Sequence, residues 1–594
     1  MVEDRTIAAD PSWSEHDADE WADAITTAMK LGGVEHFFFV SGSEIGFYQE
    51  AVARAAAKGW PAPQLLTVTH EGSALNAALG SAMVREQPAA TAAHVDVGTF
   101  NYGAGLHTAW RGSYPVLITA GAGPRAYPGS MRGARSNSVQ WVQEPRDQGE
   151  IVRQYTKIDH RLDHTDNPGL IVSRLLQVAM SEPRGPVYMT VPQEAAMLPL
   201  PGKTRFPTRD ELGVARPVWP DPSDAKRVAE WLVKAQNPIV ILGQSGRNSG
   251  SVAPLVRLAE LLALPMMDSD RTMTMNFPTT HPLSGTGPTA AQADVVVVIE
   301  TPVPYMPANA PRPGTKIVWV DPDPVQSRYK TMEFHADVWL PVLAGPFAEA
   351  VYEQAAGMLT TSDMSRIEER RERLAQRKQE IRKQDEDAAM RVATRDPISP
   401  RWVGYQIGQV LEEQAIVLDD TLSSTAAFRP YHGRSQPGSY FKSGGSAGGW
   451  GTGAAFGAKT AAPDRDVVLV TGDGYFMFGS PLAALWSSGH YKTPFLTVVF
   501  VNKSYSTGTA GVDGAYPGGF AASAGYEGGL FDPPPDFAKL AEVANGYGES
   551  VTNPAEVGPA LRRGLTEVRN GSPSVIAVQL PTLPDELHKL GGSR

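Results

Sequence analysis

Cysteine is absent from all 594 residues. That excludes a disulfide framework, a thiolate zinc site and a cysteine nucleophile. No uninterrupted apolar run approaches bilayer length, so no membrane partner is expected. Neither sign of charge dominates: 53 Lys and Arg stand against 64 Asp and Glu, a net charge of -11. That balance gives no electrostatic reason to expect nucleic acid or an anionic lipid surface as partner. The first residues, Met1-Val2-Glu3-Asp4-Arg5-Thr6, lack the basic segment and apolar stretch of a secretory signal. The expectation is a cytoplasmic protein. What is present, 42% hydrophobic and 20% charged residues, describes an ordinary soluble globular chain. Its length exceeds one core and suits three or four domains.

The most informative stretch lies at 467–504. Two apolar, β-branched runs, 467–471 and 495–501, flank a helix-length segment at 481–490, the pattern of a strand-helix-strand unit in a parallel sheet. Asp473 and Asn502 fall at the carboxyl ends of these strands, the edge where open α/β sheets bind ligands. One carboxylate with neutral oxygens suits Mg²⁺, which completes its octahedron with phosphate oxygens and water. Gly472 and Gly474 allow close backbone approach to a phosphate. Gly-Asp-Gly by itself is also a common turn; the flanking strands and Asn502 favour a magnesium-diphosphate cradle.

With Gly472-Asp473-Gly474 and, a helix and a strand later, Asn502, the chain resembles the thiamine diphosphate (ThDP) enzymes. The resemblance implies that Asp473, Asn502 and the Ser504 carbonyl hold Mg²⁺, with Tyr475 also against the cofactor. The usual Asn-Asn is Val501-Asn502 here; the second Asn is the ligand.

Earlier in the chain, apolar runs at 37–40, 65–69, 89–95, 116–120 and 187–191 alternate with helical patterns, as in a doubly wound domain over 1–200. The segment 19–29 reads as a surface helix with an acidic first turn. Glu71 follows a strand and opens a helix, so it could be a helix-start charge. By the resemblance it occupies the place of the glutamate that hydrogen-bonds N1′ of the cofactor's pyrimidine and favours the imino tautomer. A narrower likeness, to benzoylformate decarboxylases, lies in His94-x-x-x-Gly98-Thr99-x-Asn101. It implies proton transfer by His94 and by His281 of Asn276-Phe277-Pro278-Thr279-Thr280-His281-Pro282, with Ser43 near the substrate.

A Pro-rich linker at 197–220 leads to a middle α/β domain, 221–357, with strands near 238–243, 294–300 and 316–321. Its Gly243–Gly250 loop lacks the dinucleotide spacing, and the run 298–303 resembles the decarboxylases more than the flavin-bearing synthases, so FAD is not expected. The segment 358–398 reads as a charged helical connector, opened by a capping box at Ser365 and Glu368. Its one apolar contact per heptad, at Ile367, Leu374, Ile381 and Ala388, is too thin for a coiled coil. The third domain, 399–594, begins with a strand at 415–420 and a hydroxyl-rich turn at 421–425. There Ser423 is either an N-cap or, by the resemblance, a diphosphate contact. The loop 443–453, with Ser446 and Gly448, should face the pyrimidine ring. Relatives carry a large aliphatic prop where this chain has Gly448; either Trp450 or Leu422 replaces it, or the register shifts, or the cofactor is less activated.

The expectation is therefore three doubly wound parallel-sheet domains (pyrimidine-binding, middle, diphosphate-binding) that form their site between subunits of a homodimer, extended to a homotetramer. The implied activity is ThDP- and Mg²⁺-dependent cleavage or ligation of the carbon-carbon bond beside the carbonyl of a small 2-oxo acid, as decarboxylase or carboligase. A flavin-dependent oxidase or a synthase on the same scaffold, and a cofactor-binding paralogue without turnover, remain as alternatives.

Overall fold

The computed structural model describes residues 10–270 and 272–582. Three parallel sheets, each flanked by helices, follow one another along the chain. The first contains His36–Phe39, Gln64–Thr67, Ala89–Ala93, Val116–Ala122, Asp159–Arg161 and Val187–Pro192. The middle sheet contains Pro238–Leu242, Met266–Asp268, Val295–Ile299, Lys316–Val320 and Val338–Leu340. The third contains Ile416–Asp420, Tyr440–Lys442, Val467–Gly472, Leu496–Val501, Tyr547–Val551 and Ser574–Gln579. The central strands are short, almost wholly buried and rich in Val, Ile and Ala, as sheets covered on both faces require.

Numbered by chain order within each sheet, the strands of the first and third lie 2-1-3-4-6-5, and those of the middle sheet 2-1-3-4-5. The first and third units therefore share a topology, and strand order reverses between strands 1 and 3 in each. A crevice opens at the carboxyl ends of those two strands, because the connections that follow them leave in opposite directions. In the first sheet Ser43 and Glu44 lie beyond strand 1 and His94 follows strand 3. In the third, the 421–425 turn follows strand 1 and Asp473 follows strand 3.

The first and third units share a core. Phe38 and Leu66 of one pack in the same cluster as Trp450, Phe456 and Leu469 of the other. Its centre is a pair of small-residue helices, Glu71–Arg85 and Gly451–Ala461. Gly80, Gly453 and Gly457 lie so close to the opposing backbone that an added Cβ would stand 2.0 Å from the Ala454 carbonyl oxygen, 2.6 Å from that of Ser73 and 1.8 Å from that of Ala77. Close backbone contact thus depends on the missing side chains.

Three expectations are corrected. The N-terminal helix spans Trp21–Leu31, not 19–29, and Trp21 through Met29 are all buried. The residues before it form a strand, Glu15–Glu20, paired antiparallel with Pro199–Arg205 inside the expected linker. The long charged helix begins at Thr361, capped reciprocally by Thr360 and Asp363 instead of Ser365 and Glu368, and runs to Met390. It packs on the middle unit: Ile367, Arg370 and Leu374 are buried, and the Arg370 guanidinium donates to the carbonyls of Ala235, Leu262 and Ala263.

Candidate active site

The first crevice gathers Ser43, Glu44, His94 and Gln140. Gly42 and Gly121 permit this crowding, since a Cβ on either would overlap the His94 ring or its carbonyl oxygen. The Glu44 side chain is fully buried. One of its carboxylate oxygens accepts from the Ser43 hydroxyl at 2.6 Å and pairs with His94 Nε2; the other accepts from Gln140 Nε2 at 3.0 Å. Ser43 Oγ also stands 3.5 Å from His94 Nε2. Burial pushes the Glu44 carboxyl upward, but hydrogen bonds from Ser43, Gln140 and His94 outweigh it and hold the group below its usual value. Sequence reasoning named Ser43 and His94 but missed Glu44 and Gln140; a carboxylate next to the candidate serine was the available signal.

Glu71 opens its helix and is buried. Its Oε2 accepts from the Asn101 side-chain amide at 2.9 Å, and a Cβ on Gly98 would stand 2.9 Å from its Oε1. The Gly-Thr-x-Asn motif thus leaves room for this carboxylate and steers it. The His281 ring meets Phe277 edge-on, its Nε2 is 3.3 Å from Glu260 Oε1, and its Nδ1 accepts from the Leu283 amide. Among the described residues no hydrogen bond or ion pair joins it to Ser43, Glu44 or His94.

The second crevice holds the Gly-Asp-Gly turn. Asp473 Oδ1 accepts from the Gly474 amide at 2.8 Å and Oδ2 from the Lys503 amide at 2.6 Å, which ties the ends of two adjacent strands together. Asn502 Oδ1 accepts from the Ser504 amide and hydroxyl. Burial lifts the Asp473 carboxyl to about 6 despite the backbone donors. A buried anion left in that state fits a divalent cation. Among the described residues no group of three or more His, Cys, Asp or Glu is placed to hold a metal ion. One carboxylate, an amide oxygen and backbone carbonyls make a hard, weakly charged donor set, which fits Mg²⁺ sharing phosphate oxygens. Nothing lies within 4 Å of a Cβ placed on Gly472, so the backbone there is open to a ligand.

Above this turn, the buried Asp420 accepts from the amides of Gly449 and Gly451 and fixes the 448–451 loop. Burial, then the neighbouring Asp419 charge, push its carboxyl up to about 8 against those two donors. Ser423, three residues after Asp420, is exposed. The Ser446 amide donates to His107 Nε2 at 3.2 Å, which seats the loop on the first unit of the same chain. Tyr475 lies against Gly448: a Cβ there would be 2.2 Å from its Cδ1. Trp450, by contrast, is buried in the shared core, and Leu422 is about half exposed. Among the described residues no hydrogen bond or ion pair connects Glu71 with Asp473, Asn502 or Tyr475.

At the middle crevice, Arg247 is buried and pairs with Glu182 at 3.0 Å and Glu300 at 3.3 Å. A Cβ on Gly243 would stand 2.3 Å from the Glu300 carbonyl oxygen.

Three models of one family match in order: the thiamine pyrophosphate enzyme N-terminal TPP binding domain at residues 19–151, the central domain at 225–340 and the C-terminal TPP binding domain at 421–578. The chain belongs to the thiamine diphosphate-dependent enzymes. It is 28% identical to a benzoylformate decarboxylase of Pseudomonas aeruginosa over 73% of this chain and 78% of that protein. It is 26% identical to the acetolactate synthase large subunit IlvG of Mycobacterium tuberculosis over 93% and 94%. The fold matches the crystal structure of a benzoylformate decarboxylase from Polynucleobacter necessarius with a TM-score of 0.73 at 18% identity, covering 95% of this chain and 99% of that one.

Proposed function

We propose that the protein decarboxylates a small 2-oxo acid without oxidation, using ThDP and Mg²⁺. The observation that carries this reading is the Ser43–Glu44–His94 cluster, a proton-handling group at the same sheet edge as the supported carboxylate of Glu71. Glu71 would hold a proton at the pyrimidine N1′. Asp473, Asn502 and the Ser504 carbonyl would hold Mg²⁺ against the diphosphate, with Gly472, Gly474 and Ser423 lining the approach. When bound, the cofactor supplies a carbon nucleophile for the substrate carbonyl and a sink for the electrons left when CO₂ departs. His94 would return a proton to the product carbon from the ring nitrogen that Glu44 does not engage, Nδ1, with Glu44 holding the ring through Nε2, and Ser43 would orient the substrate carboxylate.

Both crevices are rimmed with apolar side chains that have no cover in one chain: Val97 and Phe100 beside Glu71's support, and Leu422 and Phe478 beside the third-sheet loop. These supports fit a homodimer in which the first unit of one copy faces the third unit of another, and pairs of dimers would give a tetramer. The buried Arg247–Glu300 pair beyond the first strand of the middle sheet supports a reading without flavin. The 26% likeness to an acetolactate synthase over nearly the full chain supports a second reading, ligation of the cleaved fragment to an acceptor carbonyl.

The test is a product assay with benzoylformate and pyruvate, with and without an acceptor aldehyde, after reconstitution with ThDP and Mg²⁺. Aldehyde and CO₂ should dominate; hydroxyketone as main product would move the protein to the carboligases. Glu71→Gln should abolish turnover while cofactor binding persists, and unchanged turnover would defeat the mechanism.

A further inference from the structure

Gly448 leaves the loop facing the third-sheet crevice without a side chain, yet the space beside it is filled. The Tyr475 ring lies flat over it, with Cδ1, Cε1 and Cγ at 2.2, 2.3 and 2.5 Å from where a Cβ would stand. The contact extends along the loop. A Cβ on Gly449, whose φ is +82°, would meet the Gly479 backbone at 2.7 Å and the Tyr475 carbonyl oxygen at 3.0 Å. Glycines at 448 and 449 therefore let the loop settle directly on the helix Asp473–Phe478. Tyr475 is the second residue after Asp473, so one short helix carries both the cation-facing carboxylate and the ring that packs under the loop. Trp450 cannot fill this space because it is buried in the core shared by the first and third units.

We propose that Tyr475 is the positioning residue of this site: its ring, projected from the Gly-Asp-Gly helix across the bare Gly448, supplies the bulk between loop and diphosphate turn on which a bound ThDP is folded. The assignment rests on the cofactor reading above and adds where the steric support comes from. A rigid ring with two side-chain torsions holds shape at small entropic cost, and here a flexible aliphatic side chain on the loop would overlap it.

The two positions are thus reciprocal, and a swap tests them. Apo enzyme is titrated with ThDP in saturating Mg²⁺, binding is read by quenching of intrinsic fluorescence, and the bound cofactor's conformation by its near-ultraviolet circular dichroism. Tyr475→Ser should weaken binding about tenfold, a loss of ~1.4 kcal/mol, and change the dichroic band. Tyr475→Phe should retain both, because bulk and not the hydroxyl is used. Gly448→Leu alone should impair binding or folding, while Gly448→Leu combined with Tyr475→Ser should fold and recover the wild-type band. Wild-type binding by Tyr475→Ser, or a Gly448→Leu variant that behaves alike with and without Tyr475, would overturn the proposal and leave the cofactor reading standing. A wild-type chain that binds no ThDP would overturn that reading, and this assignment with it.

Discussion

Replacing Gly457 by alanine sets two effects against each other in the pair Glu71–Arg85 and Gly451–Ala461. Helix propensity favours the change by about 1 kcal/mol, because glycine in a helix interior loses more backbone freedom than alanine. Packing opposes it. The new Cβ would stand 1.8 Å from the Ala77 carbonyl oxygen and 2.6 Å from its carbonyl carbon, against the 3.4 Å where ordinary contact begins. The obstacle is helical backbone, which cannot swing aside as a side chain can. The helices must part by about 1 Å or more, which loosens Phe38, Leu66, Trp450, Phe456 and Leu469 around them. Overpacking of a close-packed core costs roughly 1–3 kcal/mol, and a backbone obstacle belongs at the upper end. Gly457→Ala should therefore destabilise the chain by about 1–2 kcal/mol net, and lower its melting temperature by circular dichroism. Gly511→Ala is the control: that helical glycine is exposed and has nothing within 4 Å of an added Cβ, so only the propensity gain applies. A Gly457→Ala protein that melts at or above the wild type, or a Gly511→Ala protein that falls as far, would refute the close-approach account.

Two further outcomes follow from buried groups. Glu44→Gln keeps the shape of the first crevice but removes the anion beside His94, so turnover should fall about 10²-fold with ThDP affinity unchanged; equal turnover would show that the cluster only fills space. Burial, then the Arg85 charge, lower His36 to about 4 while its Nδ1 lies 2.8 Å from Ser81 Oγ. Because the unfolded chain takes up that proton near pH 6.5 and the folded chain only near 4, this stability is full above 6.5 and is lost as pH falls through that window. The slope is at most ~1.4 kcal/mol per pH unit. Urea titrations at pH 7 and 5 should show a smaller difference for His36→Gln than for the wild type; the same difference would remove His36 as the cause.

How much was legible in the sequence depended on whether a feature is local. The strands near 37–40, 89–95, 295–299, 467–471 and 495–501 announce themselves because buried parallel strands are nearly continuous apolar runs. The Gly-Asp-Gly turn and Asn502 were visible because both fall at strand ends. The N-terminal strand was not: Glu15–Glu20 is charged and exists only because Pro199–Arg205, about 180 residues later, pairs with it. The start of the long helix was misplaced because Thr360-x-x-Asp363 and Ser365-x-x-Glu368 are both capping patterns, and only packing on the middle unit chooses between them.

The crevices show the same division. The shared 2-1-3-4-6-5 order places a strand-end loop pair at equivalent points of two sheets, so the residue types beyond strand 3, His94 in one and Asp473 in the other, could be found by reading forward from a strand. Glu44 could not be ranked that way, since its value to the site comes from His94 and Gln140, 50 and 96 residues distant. Gly448 looked like a deficiency for the same reason. A missing side chain reads as a gap in one dimension, but here the space belongs to Tyr475 on another element. The two residues carry one steric function between them, so a substitution at either has a meaning only when the other is specified.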